Sequence, residues 1–153
     1  MEAIEIIKIV LATIVGTTLM TGFSYLASES FNKLWKEPVL LNLVAARANI
    51  DFSPRRKSIF GWIIHYIIGL AFVLCYHFIW KYSDMEPTWP CALIFGAVSG
   101  LIGIFSWFFL FKIPDEKPKI KIKQYYLQLF VAHIFFALAV VAVYQLSLHF
   151  YYY

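Results

Sequence analysis

The chain has 153 residues, of which 61% are hydrophobic and 14% charged, whereas an average soluble domain is roughly half apolar and about a quarter charged. That composition excludes an ordinary soluble domain. The net charge of +4 would suit a polyanion, but the basic residues sit beside apolar runs and form no basic face interleaved with stacking aromatics, so nucleic acid is excluded as a partner.

Charge-free runs separate Lys8 from Glu29 (20 residues), Lys57 from Lys81 (23) and Glu86 from Lys112 (25), and a fourth follows Lys123 to the end (30). About 20 helical residues cross the hydrocarbon core. The runs predict an all-α integral membrane four-helix bundle, one transmembrane domain over 1–153, with spans over 6–27, 59–80, 91–111 and 125–150. Glu2 and Glu5 replace the basic start of a secretory signal, so the first span is expected to be retained.

Span one carries Thr13, Gly16, Thr17, Thr21, Ser24 and Ser28 at steps of three or four, a small, hydroxylated stripe on one helix face. Small residues let membrane helices approach closely, so Thr13, Gly16, Thr17 and Thr21 are helix-packing candidates. A polar pore lining is the alternative, weakened because hydroxyls also bond their own helix carbonyls. In the connection that follows, Pro38 suits a first helical turn, and Val39, Leu40, Leu43, Val44 and Arg47 recur at helical spacing, predicting a short interfacial helix. Arg55, Arg56 and Lys57 close that connection as candidates for lipid headgroup contact.

Span two holds His65 and His77. The second connection holds Lys81 alone among Lys and Arg, and span three repeats the small-residue pattern at Gly96, Ser99, Gly100, Gly103 and Ser106. The segment Gly96 to Gly103 resembles the serine-bearing glycine motif of intramembrane rhomboid proteases. Its glycines stand one residue too far before the serine and one too close after it, and the chain has fewer spans than that family's core. Because a nucleophile and its base need hydrogen-bond reach, packing is the expected role. Lys117, Lys119, Lys121 and Lys123 then alternate with Pro and Ile as an extended basic strip for anionic headgroups.

Span four carries Gln128, His133, Gln145 and His149. At about 1.5 Å per residue, His65 and His133 fall at similar depths, roughly 9 and 12 Å from the same side. With Gln128 they form the candidate intramembrane polar site. A single haem b held by the two imidazoles is one alternative; hydrogen bonds to hydroxyls or carbonyls are expected instead, so neither cofactor nor metal is assigned. No predicted span interior contains Asp or Glu, which argues against an acidic proton relay. Cys75 and Cys91 lack metal or redox spacing and read as packing residues.

Eleven Lys or Arg fall in the first and third connections, against Lys81 and Lys8 elsewhere. The positive-inside rule places those connections in the cytoplasm and both termini outside, in a cell inner membrane. Trp62, Trp107, Tyr125 and Tyr126 are expected at the inner interface. Trp80, Tyr82, Trp89 and Tyr151 to Tyr153 are expected at the outer one.

The stretch Gly61-Trp62-Ile-Ile-His65-Tyr66-Ile-Ile-Gly69 resembles the Gly-Trp-x-x-His-Tyr-x-x-Gly signature of a family of small bacterial inner-membrane proteins known as a domain of unknown function. Ala132 to Phe136 and Met20 to Gly22 extend the likeness, while span three lacks that family's Gln-Pro and Thr-Pro turns. The resemblance implies a four-helix membrane protein with His65 and His133 as notable positions, and implies no reaction. The expected function is non-enzymatic: association with the bilayer's anionic headgroups, with a membrane protein or with further copies of this chain. A small oligomeric channel or carrier using His65 and His133 is the alternative.

Overall fold

The computed structural model describes residues 3–47, 59–113 and 120–152. Five helices follow in order: α1 (Ala3–Ser30), α2 (Glu37–Arg47), α3 (Phe60–Tyr82), α4 (Trp89–Leu110) and α5 (Ile122–Tyr152). Four of them are long and apolar enough to cross a membrane, so the all-helical, four-span bundle expected from the charge-free runs is the observed fold. Helix ends fall within about three residues of the expected span limits. Arg55, Arg56, Lys57, Lys117 and Lys119 lie outside the described residues.

Local chemistry explains the ends. Asn32 takes the left-handed conformation (φ 50°), which asparagine tolerates better than most residues. The Asn32 N–H donates to Glu29 O (3.2 Å) and the Lys33 N–H to Ser28 O (2.9 Å), the paired bonds of a Schellman ending. The Ser28 hydroxyl then donates to the Lys33 carbonyl and accepts the Trp35 N–H at 3.2 Å. One serine thus turns the chain back beneath the bundle and pins both Lys33 and Trp35. At α4, Thr88 is extended and its hydroxyl accepts the Cys91 N–H at 3.4 Å, with Pro90 in the first turn; both residues suit a helix start.

Helix α5 is the central post. It packs against α1 and α4, while α3 packs against α1 and α2. Half of α5's membrane window is buried, compared with a third or less in the other three. The small-residue stripes make these approaches possible. A Cβ on Gly96 would lie 2.8 Å from the Ile134 Cα, and one on Gly16 would lie 2.9 Å from a Val140 methyl. The stripes of spans one and three therefore both meet α5, and α1 additionally seats Thr17 against Gly69 of α3. The outward faces carry Val10, Leu11, Ile14, Ile63, Ile67, Leu101, Ile102 and Phe105, all large, apolar and exposed, as expected where lipid is the solvent.

Two aromatic expectations change. Trp107 and Tyr125 are 6% and 0% exposed, and with Phe111 they form an aromatic cluster with centroids 4.9–5.7 Å apart. They pack the interior and do not anchor an interface. Composition could not separate these roles, since ring and polar tip look alike in sequence.

Candidate functional site

The polar interior is built on the α1 stripe. The Thr13 and Thr21 hydroxyls donate to the carbonyls of Ile9 (2.8 Å) and Thr17 (2.6 Å), the back-bonding that competes with a pore lining. Because the Thr21 proton is committed, its oxygen accepts from His65, whose Nε2 lies 3.0 Å away; this arrangement assigns the Nε2–H tautomer. His133 donates from Nδ1 to Leu129 O in its own helix at 2.8 Å, and its ring sits where a Gly103 Cβ would be, 2.7 Å from Cε1. Phe72 meets that ring edge-on at 5.8 Å. Both histidines are buried, and each is tied to a separate partner: His65 across helices, His133 within its own.

Ser99 shows what the glycine-flanked serine does. Its hydroxyl donates to Phe95 O (2.7 Å) and accepts from Tyr76 OH (2.8 Å), while Gly96 and Gly100 abut α5. These contacts tie the serine to its own helix and to Tyr76 of α3.

Gln128 lies in a cluster that the sequence reading missed. Its Nε2 donates to Ser24 Oγ at 2.7 Å and approaches Glu37 Oε1 at 3.4 Å. The Ser24 hydroxyl donates to the same carboxyl oxygen at 2.7 Å. Glu37 is 1% exposed. An acid absent from every predicted span has entered the bundle from the short helix, because the Schellman ending folds α2 inward with Glu37, Pro38, Leu40, Asn42 and Val44 buried. Burial, partly offset by the Ser24, backbone and Gln128 hydrogen bonds, raises its pKa from 4.5 to about 7. Glu37 Oε2, Gln128 Oε1 and Tyr125 OH have no hydrogen-bond partner among the described residues. The first turn of α2 offered a sequence signal for an acid near a helix N-terminus, but nothing in the periodicity says which way that turn faces.

The same end of the bundle gathers cations. Lys33 and Lys121 line one cavity of about 460 Å³ with Asn32, Leu34, Trp35 and Ile120. On the other side of the connection, Lys36 pairs with Glu29 at 3.2 Å and lies 4.4 Å from the Tyr25 ring centre. Lys121 and Lys123 are exposed, as the headgroup expectation requires. At the opposite end, Glu5 and Lys81 pair at 3.1 Å, and His77 Nδ1 meets Tyr144 OH at 3.1 Å. Cys75 and Cys91 are free thiols, with Cys91 accepting the Trp80 indole N–H at 3.3 Å.

Compared with family models, curated proteins and solved structures, the chain matches none.

Proposed function

We propose that this is a non-enzymatic protein of the cytoplasmic membrane that works by associating with anionic lipid, its lysine-bearing end in the inner leaflet and its termini outside. The observation that carries the reading is the cavity shared by Lys33 and Lys121; neither lysine has an acidic partner among the described residues. Each cation near an anionic leaflet contributes about 1 kcal/mol to membrane attraction. The glycines of both stripes are covered by helices of the same chain, so a second membrane protein or a further copy would mainly meet the outward apolar faces. The likeness of residues 61–72 to the small inner-membrane family is compatible with this role. Protein purified in mild detergent from a mixed membrane is expected to retain anionic phospholipid well above its share of the membrane. Retention in proportion to bulk composition would contradict the reading.

A second reading, a small proton-coupled carrier, is favoured by one observation: the buried Glu37 carboxyl bonded to Ser24 and Gln128. It supplies the interior acid that the predicted spans lack. Liposomes containing the protein would then show proton flux that Glu37→Gln abolishes; flux equal to that of empty vesicles removes the carrier.

A further inference from the structure

Trp35 is 5% exposed, and its indole Nε1 is fully enclosed, without a hydrogen-bond partner among the described residues. The ring has been carried to this place by the Schellman turn and held there by Ser28, with Phe31 packed on it at 5.5 Å. Trp35 and Lys33 line two cavities at once. One is the polar cavity completed by Asn32 and Lys121. The other is a groove of about 350 Å³ between α1 and α5, walled by Phe23, Ala27, Leu127 and Val131.

Those neighbours specify an occupant. On one side of the indole it must carry anionic oxygen for two lysines that have no acidic partner among the described residues; on the other side, an apolar body that lies along helices in hydrocarbon. A soluble phosphate compound lacks the apolar part, and an apolar helix lacks the anion. We infer that Lys33, Lys121 and Trp35 form the headgroup end of a discrete site for one anionic glycerophospholipid, with an acyl chain in the α1/α5 groove. This inference rests on the anionic-lipid reading above and adds a stoichiometry and a location. The phosphate lies between the lysines, and the indole ring forms the wall between headgroup and chain.

The test is a lipid titration by native mass spectrometry. It uses phosphatidylglycerol, phosphatidylcholine and soluble glycerol phosphate, on wild type, Trp35→Phe, the Lys33→Gln/Lys121→Gln pair and Ala27→Phe. Wild type is expected to bind one phosphatidylglycerol with preference over phosphatidylcholine and to ignore glycerol phosphate. Trp35→Phe, which puts a smaller ring in the wall shared by the two cavities, should weaken binding about threefold. The double lysine variant should lose the preference for phosphatidylglycerol, and Ala27→Phe should block the groove with the headgroup contacts intact. Should Trp35→Phe misfold, the other two variants carry the test. If anionic lipid is retained in bulk while Trp35→Phe and Ala27→Phe bind it as wild type does, the discrete site is wrong and the broader reading survives. Competition by glycerol phosphate would overturn the groove assignment, and no anionic preference in any form would sink both.

Discussion

At Glu37 a carboxyl sits inside the bundle with one oxygen held by Ser24 and Gln128 and its pKa raised to about 7. The folded state therefore binds this proton more tightly than the unfolded chain does. Stability from this group is fully present below about pH 4.5 and is lost as pH rises through about 7. The corresponding change is roughly 3 kcal/mol at about 1.4 kcal/mol per pKa unit. Unfolding in detergent should show lower stability at pH 8 than at pH 5, and Glu37→Gln, which mimics the protonated acid, should flatten that slope; an unchanged slope would show that the carboxyl does not titrate in the bundle. Glycines give a second contrast. A Cβ on Gly61 would collide with the Pro38 carbonyl, whereas one on Gly22 meets nothing within 4 Å. Gly61→Ala is expected to destabilise by about 1–3 kcal/mol. Gly22→Ala should be neutral or stabilise by up to about 1 kcal/mol through helix propensity. Equal effects in the same unfolding assay would contradict the close approach of α2 to α3.

At the scale of elements, α5 holds the bundle by presenting backbone and side chain to glycines of two neighbours. Gly96 faces the Ile134 Cα and Gly100 faces Phe130, whose nearest ring carbon would lie 2.9 Å from an added Cβ. A leucine at Gly96 would have to displace main chain, so Gly96→Leu should separate α4 from α5. Cysteines placed across that interface should cross-link in the parent and fail to do so in the variant; undiminished cross-linking would refute the packing. These helices were legible in the sequence because charge is expensive in hydrocarbon, and the four charge-free runs mark the segments that avoid it. The stripes were legible for a similar reason, since small residues at helical spacing announce a close neighbour, though not which one. The environment of Glu37 was not. The α2 periodicity predicts a helix, but its inward placement depends on Asn32 in the left-handed region and on Ser28 catching the turn, tertiary details that no periodic pattern carries. Trp35, one short step before that acid, was unread for the same reason. His65 was readable as a polar group needing a partner, while the choice of Thr21 over His133 depended on helix rotation.

For the whole molecule, charge and topology combine. Four crossings place the two long connections at one end, together with Lys33, Lys36, Lys121 and Lys123; the other end has Lys81 and Lys8, with Lys81 paired to Glu5. In the proposed orientation an anionic leaflet would face the first end, and raised salt should weaken lipid retention there by screening the exposed lysines. The proposals for lipid binding all require that end to lie at the cytoplasmic leaflet. Labelling with a membrane-impermeant maleimide tests this most directly, using single cysteines at Lys123→Cys and Met85→Cys in a Cys75→Ala/Cys91→Ala background. Residue 85 is expected to react in intact cells and residue 123 only after the membrane is opened; the reverse pattern, or equal reaction of both in intact cells, would rule out a cytoplasmic position for the lysine-bearing end.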